Sequence, residues 1–513
     1  MKNLNLLTNK QQNPDVTVTT MRKLGFDNDK YLRMQSEHIK ERINKFGGKL
    51  YLEFGGKIFD DYHAARVLPG FKPDSKMKML LQLKDDAEII IAICAKDIEK
   101  NKIRSDLGIT YDLDVLRLID IYHGFGLYVG GVVLTQFANQ PAAIVFEQKL
   151  QSLGINVYRH YPIDNYPMDV QLIVSDEGYG KNDYIETNHS LVVITAPGPG
   201  SGKMAVCLSQ LYHEHKKGIK AGYAKFETFP IWNLPLKHPV NLAYEAATAD
   251  LNDVNMIDPY HLDAYGVTTV NYNRDVENFP VLNTIFEEIY GESPYKSPTD
   301  MGVNMAGNCI IDNDIVCAAS KKEILRRYCN YLVQQKNNKK VSDELHKIEL
   351  IMKHLNISNA DRPVISAALE LSEKTDAPAT AIELYDGRII TGKAGELLSS
   401  SSAMLLNALK AIAGLDDEIL LITPTVFEPI KQLKIRMHER DTSLHPEEVL
   451  IALSICATMN PLAQKALEAI KHLVGCDVHS TVVLSSADKE TLRKLGLNAT
   501  YEPYKKNDNL YYN

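Results

Sequence analysis

A glycine-rich loop that ends in a lysine, residues 194–205 (ITAPGPGSGKMA), combines the residue types that suit phosphate binding. An apolar, strand-like run, Leu191–Thr195, precedes the loop, and a helical pattern follows it. Successive backbone N–H groups can converge on an anion there, the helix N-terminus adds a partial positive charge, and the lysine adds a full one. We predict a phosphate site whose donors are Gly198, Gly200, Ser201, Gly202 and Lys203.

The loop departs at two positions from the G-x-x-x-x-G-K-[ST] pattern of nucleotide-binding P-loops. Pro197 stands in the place of the first glycine, and Met204 stands where a Ser or Thr would hold magnesium. Pro197 and Pro199 also carry no N–H, so two possible donors are missing. The pattern therefore favours an anion site over Mg-ATP geometry. The alternative is a strand-to-helix turn in which the glycines serve only to make the bend tight.

A second cluster of charged residues follows another strand-like run, in the stretch LEFGGKIFDDYH (residues 52–63). Ligands of open parallel sheets sit beyond the carboxyl ends of the strands, where this cluster and the glycine-rich loop would both lie. The two loops could then hold two ends of one polyanionic ligand. The candidate catalytic residues of this stretch are Lys57, Asp60, Asp61 and His63. The alternative is a tight turn whose charged residues face water.

Two further acidic candidates, Asp176 and Glu177, follow the apolar run 170–174, which we predict to be a strand. Carboxylates at a strand end suit metal–water coordination or general base catalysis. They precede the glycine-rich loop, whereas the acidic residue of a P-loop protein follows it, and a solvated turn is an equal alternative. Lys225 and Glu227 are expected at a later strand end, and residues 271–275 (NYNRD) form a polar loop that could line the same cleft.

Alternating strand and helix patterns must position these candidates. Six β-rich runs predict strands at residues 49–54, 88–94, 128–135, 156–160, 170–174 and 191–195. Continuous apolar strands separated by helices are typical of a parallel sheet covered on both faces. The expected fold class is therefore α/β. It comprises a mostly parallel sheet with flanking helices in the N-terminal half, a helical segment, and a second, smaller α/β unit at the C-terminus.

The chain is expected to divide into a leader and three further parts. Residues 1–20 are polar and lack an apolar h-region, so we expect a disordered leader and not a secretion signal. The parts that follow are an N-terminal α/β domain with long polar loops at 21–335, a helical connector at 336–375 and a C-terminal α/β subdomain at 376–513. The last part is predicted to contain a hairpin at Asp386-Gly387 and strands at 418–423 and 480–485.

Composition argues against several classes of protein. The 513 residues are 45% hydrophobic and 24% charged, as in an ordinary globular protein, and the net charge of −8 argues against a broad nucleic-acid surface. No apolar run approaches the roughly 20 residues that a membrane helix requires. Seven scattered cysteines without CxxC pairs indicate reduced thiols in a cytoplasmic protein.

Several longer stretches carry a family resemblance. They are GFDNDKYLRMQSEHI, LYLEFGGKIFDDYHAARVLPGF, IRSDLGITYD, TAPGPGSGKMAVCLSQLYHEH, KFETFPIWNLPLKHPVNLAYEAATADL, NYNRD, SPTDMGVNM and LGLNATYEP. Through them the chain, over about residues 21–503, resembles an uncharacterised bacterial protein family catalogued as a domain of unknown function. The resemblance implies a cytoplasmic, multi-subdomain α/β protein and assigns no catalytic residue.

These observations support three hypotheses of function. The first is an enzyme, a hydrolase or transferase, that acts on a phosphorylated or nucleotide-like small molecule bound at residues 197–203. The second is a non-catalytic ligand sensor or oligomeric scaffold that uses the C-terminal half as its platform. The third is a P-loop-like ATPase or kinase, which Met204 and the position of Asp176 weaken. The sequence leaves open whether the cofactor is a nucleotide or a divalent metal. The expected partners are the phosphorylated ligand and further copies of the chain in a homo-oligomer.

Overall fold

The computed structural model describes residues 23–56, 58–59, 61–104, 107–337, 340–439 and 441–503. The expected leader at 1–20 and the candidates Lys57 and Asp60 therefore lie outside the described residues. The chain forms two compact units, one of residues 24–361 and one that contains residues 362–503. The division falls inside the segment 336–375 that the sequence sets apart as a connector.

The N-terminal unit is built on a seven-stranded parallel sheet. The strands of the whole unit, seven in this sheet and four in two short ribbons, are β1 Leu50–Phe54, β2 Ala87–Cys94, β3 Ile103–Arg104, β4 Ile109–Thr110, β5 Tyr128–Thr135, β6 Val157–Arg159, β7 Leu191–Thr195, β8 Gly222–Phe226, β9 Asn255–Ile257, β10 Val270–Tyr272 and β11 Gly302–Val303. The sheet has the order β11-β8-β1-β7-β2-β5-β6, and β3–β4 and β9–β10 form two short antiparallel ribbons. Strands β1, β2 and β7 are buried along their whole length, which explains why they are apolar except for Glu53 in β1, Glu88 in β2 and Thr195 in β7.

Helices cover both faces of this sheet. They are α1 Asn28–Lys45, α2 Tyr62–Val67, α3 Ser75–Gln82, α4 Ala95–Glu99, α5 Tyr111–Gly124, α6 Pro141–Ser152, α7 Val170–Ile173, α8 Lys203–Lys216, α9 Pro239–Ala247, α10 Pro259–Tyr265, α11 Asn273–Tyr290, α12 Pro298–Met301, α13 Asn313–Lys336 and α14 Ser342–Leu355. Apolar side chains of α8 and α11, among them Leu208 and Phe286, share one core with Tyr51 and Val192 of the sheet. The α/β fold class predicted from the sequence is confirmed.

Two local predictions for this unit are wrong. The strand predicted at 170–174 is helix α7, Val170–Ile173, because Asp169 caps the segment by accepting a hydrogen bond from the backbone N–H of Leu172 at 3.1 Å. The region after residue 226 also contains more regular structure than the long loops that were expected. Pro239 and Pro259 stand in the first turns of α9 and α10, where proline is well tolerated because the missing N–H would have no helical partner.

The C-terminal unit contains a smaller mixed sheet. Its elements are α15 Val364–Thr375, β12 Ala379–Glu383, β13 Ile389–Lys393, α16 Ser400–Ala413, α17 Pro424–Arg436, α18 Pro446–Ala457, α19 Pro461–Glu468, β14 Asp477–Ser480, α20 Ser486–Lys494 and β15 Asn498–Tyr501. The sheet order is β13-β12-β14-β15. The hairpin at Asp386-Gly387 is confirmed as the turn between β12 and β13. The strand predicted at 418–423 is absent from this described region, and the one predicted at 480–485 ends at Ser480 instead.

Among the residues that the structure describes, no helix combines the length and the apolar character needed to cross a membrane.

Candidate functional site

The glycine-rich loop leaves the middle of the parallel sheet. It follows β7, which lies between β1 and β2, and it leads directly into α8. Gly200 and Gly202 have φ of 76° and 83°, a left-handed conformation that glycine adopts without steric cost. Gly202 is the N-cap residue of α8, so the two glycines allow the chain to turn sharply from the strand into the helix.

Side chains from neighbouring elements hold this loop. The Thr135 hydroxyl, at the end of β5, donates a hydrogen bond to the carbonyl oxygen of Ser201 at 2.8 Å. The Ser201 hydroxyl donates within the loop to the carbonyl oxygen of Gly198 at 2.9 Å. A Cβ atom on Gly198 would lie 2.2 Å from the Tyr111 hydroxyl, so only glycine fits there. Ser201 is fully buried, and its hydroxyl is already used within the loop.

Two backbone donors of the loop have no acceptor in the described part of the chain. No described residue accepts a hydrogen bond from the backbone N–H groups of Gly200 or Gly202, whereas Ser201 closes a turn on Gly198. Lys203 is half-buried in the first turn of α8, and no described carboxylate lies within ion-pair distance of it. The positive end of the α8 dipole adds to this charge. Of the predicted phosphate donors, the N–H groups of Gly200 and Gly202 and the ammonium of Lys203 have no partner among the described residues.

Strand β1 runs beside β7, so the segment after β1 starts next to the glycine-rich loop. Glu53 is paired in register with Ile194, and the Gly55 N–H donates to the Phe226 carbonyl oxygen at 3.2 Å. Asp61, from this segment, caps α2 by accepting from the Ala64 N–H at 3.2 Å. Of the four candidates in this stretch, the structure describes Asp61 and His63.

Asp61 forms a buried ion pair that the sequence did not reveal. Its carboxylate lies 2.8 Å from the amino group of Lys76 in α3, and Lys76 is 3% exposed. Burial raises the pKa of Asp61, but the Lys76 ammonium outweighs that effect, so its pKa is below the ordinary value. Asp61 is therefore ionised near neutral pH and keeps Lys76 beside the end of β1.

His63 belongs to a buried charge network. Its Nδ1 lies 3.4 Å from Oε1 of Glu323, and its ring packs against Phe229 and Tyr244. Burial lowers the pKa of His63, which leaves the ring neutral at pH 7. Its Nε2 is buried without a hydrogen-bond partner.

Asp176 and Glu177 lie away from the loop. Asp176 accepts a hydrogen bond from the Tyr212 hydroxyl at 2.8 Å and pairs with Lys216, the last residue of α8. The 14-residue helix α8 is about 20 Å long, and the loop lies at its other end. Glu177 is exposed and pairs with Lys181 at 2.5 Å. The structure therefore does not bring these two candidates to the predicted phosphate donors.

A cluster of four buried or half-buried charged residues lies at the neighbouring strand ends. The sequence analysis expected Lys225 and Glu227 at a strand end and residues 271–275 in the same cleft, but it did not include Glu53. The Lys225 ammonium, in β8, lies 2.7 Å from Glu227 and 2.5 Å from Asp275, in the first turn of α11. Glu53 is paired in register with Lys225 and accepts a hydrogen bond from the Tyr223 hydroxyl at 2.8 Å. We call Glu53, Lys225, Glu227 and Asp275 the Glu227 cluster.

The Glu227 cluster contains one cation and three carboxylates, and this imbalance governs its ionisation. Burial raises the pKa of Glu227 to about 7, with Asp275 and Glu53 adding to the rise and Lys225 opposing it. Burial lowers the pKa of Lys225, but Asp275 and Glu227 outweigh it and the net shift is upward. Glu227 can therefore exchange a proton near neutral pH. The sequence signal was a Lys and a Glu two residues apart at a strand end, but Asp275 joins them only through the fold.

In the described part of the chain, no three His, Cys, Asp or Glu side chains form a group that could hold a metal ion.

Comparison with known proteins gives a consistent family across the chain. The model of "Domain of unknown function DUF1846, N-terminal" matches residues 24–356, and that of "Domain of unknown function DUF1846, C-terminal" matches residues 360–511. A UPF0371 protein of Streptococcus pneumoniae (strain Hungary19A-6) is 56% identical over 492 residues, which cover 96% of this chain and 100% of that protein. A UPF0371 protein of Streptococcus pneumoniae (strain JJA) is 55% identical over the same shares.

Proposed function

The chain belongs to the DUF1846 family, and we propose that it is a cytoplasmic enzyme acting on a phosphorylated small molecule bound at residues 197–203. The observation that carries this proposal is a set of hydrogen-bond donors without acceptors at the carboxyl end of β7. The backbone N–H groups of Gly200 and Gly202 and the ammonium of Lys203 lie at the N-terminus of α8 without a described acceptor. A phosphate would satisfy several of these donors at once.

Glu227 is the proposed general acid or base of this enzyme. A carboxyl group with a pKa of about 7 is present in both protonation states near neutral pH, which suits transfer of a proton to or from a substrate hydroxyl. Strands β7 and β8 both neighbour β1, so their ends are separated by two strand spacings, about 10 Å. A ligand bound by its phosphate at the loop could therefore reach Glu227 with its other end. Such a pairing fits a hydrolase or a transferase.

A plain Mg-ATP site is less well supported. Met204 offers no hydroxyl to magnesium, and the Ser201 hydroxyl is hydrogen-bonded inside the loop. Asp176, the acidic candidate for such a site, lies at the far end of α8. We therefore propose a phosphate ester, bound through its phosphate, as the ligand.

The test is a thermal-shift screen of inorganic phosphate and phosphorylated metabolites, with and without magnesium. Ligands that bind the folded state raise Tm by mass action. We expect the wild type to respond, Lys203→Ala to lose the response while keeping its unliganded Tm, and Lys217→Ala, an exposed lysine after α8, to respond like the wild type. If no phosphate-bearing compound raises Tm, or if Lys203→Ala responds fully, the proposal is wrong.

A further inference from the structure

The hydroxyl of Tyr111 lies against the glycine-rich loop. Tyr111 is the first residue of α5, and its hydroxyl oxygen fills the space beside Gly198, 2.2 Å from where a Cβ atom on that glycine would stand. The Ser201 hydroxyl donates to the carbonyl oxygen of Gly198 at 2.9 Å, which brings Gly198 next to Gly202, the N-cap residue of α8. Tyr111 therefore places a polar group from another helix beside the predicted phosphate donors.

This hydroxyl has no hydrogen-bond partner in the described part of the chain, although Tyr111 is only 6% exposed. The hydroxyl of a buried tyrosine usually finds a partner, because leaving it unsatisfied is costly. The N–H groups of Gly200 and Gly202, in the same loop, also have no described acceptor. The hydroxyl and the loop amides thus share the same need for an acceptor from outside the protein.

The side chain of Tyr111 is held in place without its hydroxyl. The backbone N–H of Tyr111 donates to the carbonyl oxygen of Lys102 at 2.9 Å, and the Lys102 ammonium lies 4.9 Å from the centre of the Tyr111 ring. Lys102 is itself paired with Asp97 at 3.1 Å. Because the ring and the backbone fix this residue, the hydroxyl is left for another role.

The loop is accessible to a small anion, and a phosphate group has enough oxygens for all of these donors. Pro199 and Gly200 are exposed, and Gly202 and Lys203 are half-buried. A phosphate monoester presents three strong acceptor oxygens. It can therefore accept from the Tyr111 hydroxyl as well as from the loop amides and the Lys203 ammonium.

We propose that Tyr111 is a binding residue of this site, whose hydroxyl donates a hydrogen bond to an oxygen of the bound phosphate group. This inference rests on the proposed function and adds to it a ligand contact from α5, outside the glycine-rich loop. Because the hydroxyl is neutral, it adds a directional donor without changing the charge of the site. Its removal weakens phosphate binding and leaves the fold intact.

The experiment measures the dissociation constant of inorganic phosphate for the full chain and for Tyr111→Phe, from the rise of Tm with phosphate concentration at constant ionic strength. A hydrogen bond to a charged group is a strong one, so Tyr111→Phe should bind phosphate about tenfold to a hundredfold more weakly. The unliganded Tm should stay equal or rise, because the substitution removes no hydrogen bond to a described residue. Lys203→Ala, measured in parallel, should abolish binding.

Tyr128→Phe is the control for loss of a tyrosine hydroxyl elsewhere on the sheet. Tyr128 begins β5 and Thr135 ends it, and the Thr135 hydroxyl contacts the loop. The length of this strand separates the two residues by about 23 Å. Tyr128→Phe should therefore bind phosphate like the wild type.

Two outcomes would overturn the inference and leave the proposed function standing. In one, phosphate binding depends on Lys203, but Tyr111→Phe keeps the affinity of the wild type. In the other, Tyr111→Phe lowers the unliganded Tm and leaves the affinity unchanged, which would assign the hydroxyl to a structural water. If the wild type binds no inorganic phosphate, or if Lys203→Ala binds it fully, the inference also falls. The thermal-shift screen with phosphorylated metabolites then decides whether the proposed function falls with it.

Discussion

Two buried charge clusters in the N-terminal unit have opposite imbalances of charge. In the first, a single carboxylate, Glu323, is held by the guanidinium groups of Arg66, Arg326 and Arg327 at 2.7, 2.6 and 3.0 Å. In the second, the Glu227 cluster, one ammonium group lies among three carboxylates and forms ion pairs with two of them, Glu227 and Asp275. Burial penalises a charge in both places, so the surrounding charges decide whether it persists.

The difference separates a structural cluster from one that can transfer protons. Burial raises the pKa of Glu323, but the arginines outweigh it and hold that pKa well below the ordinary value. The surplus of carboxylates instead leaves the pKa of Glu227 at about 7. Glu323 therefore stays ionised and ties α2 to α13, whereas Glu227 changes its protonation state within the physiological pH range.

The largest effect is expected from breaking the first cluster. Glu323→Ala leaves three buried or half-buried guanidinium groups without their counter-charge, and it should lower the free energy of unfolding by about 3–5 kcal/mol. Urea denaturation measures the loss. Glu288→Gln, which changes an exposed glutamate on α11, is the control and should stay within about 0.5 kcal/mol of the wild type. A loss below about 1 kcal/mol for Glu323→Ala would contradict the assignment of a structural cluster.

A histidine in the C-terminal unit extends the comparison to the case of one cation between two carboxylates. His445 lies 3.5 Å from Asp441 and 2.9 Å from Asp488. Burial lowers the pKa of His445, but the two carboxylates outweigh it and raise the pKa to about 9. The folded state thus binds the proton more tightly than the unfolded state, whose pKa is about 6.5.

The stabilisation from His445 is complete below about pH 6.5 and is lost as pH rises through about 9. Over that window we expect a loss of about 2 kcal/mol in the wild type, measured by urea denaturation of the full chain at a series of pH values. His445→Gln should remove this pH dependence, and His472→Gln, an exposed histidine of the same unit, should retain it. An unchanged profile in His445→Gln would show that other groups cause the dependence.

The smallest effect concerns Glu227. Because its pKa is raised in the folded state, that state binds more protons than the unfolded state between about pH 4.5 and 7. The free energy of unfolding should therefore fall as pH rises through this window, by about 1–2 kcal/mol. Glu227→Gln should flatten this part of the profile, and Glu288→Gln should leave it unchanged. A wild-type profile that rises across the window, or one that Glu227→Gln leaves intact, would contradict the raised pKa.

Much of the fold could be predicted from local sequence patterns. The mostly apolar runs that became β1, β2, β5 and β7 were found at nearly their observed positions, because a strand covered on both faces is rich in apolar residues. The run at 170–174 was wrongly predicted to be a strand, because a short apolar stretch is compatible with either a strand or a helix. The hydrogen bond that Asp169 accepts at the N-terminus stabilises the helix. Helix α17 was missed because a proline opens it and a second proline, Pro429, lies inside it.

Part of the candidate site could likewise be predicted from the local sequence, and part of it could not. The glycine-rich loop was found because its candidate donors lie within the consecutive residues 197–203. The family resemblance was confirmed over both halves of the chain. Lys76 stands far along the chain from Asp61, and no local pattern marks it as the partner. Asp275 was expected only as part of a polar loop, and its ion pair with Lys225 depends on the fold.

By itself the sequence determined the α/β class, the glycine-rich loop that ends in Lys203 and the absence of a hydroxyl at Met204, because each depends on the order of neighbouring residues. Only the tertiary structure decided which charged side chains lie together at the carboxyl ends of the strands. It placed Glu53, Lys225, Glu227 and Asp275 together and carried Asp176 to the far end of α8. The physical reason is that ionisation depends on burial and on the sum of nearby charges, and both are set by parallel strand order and helix packing.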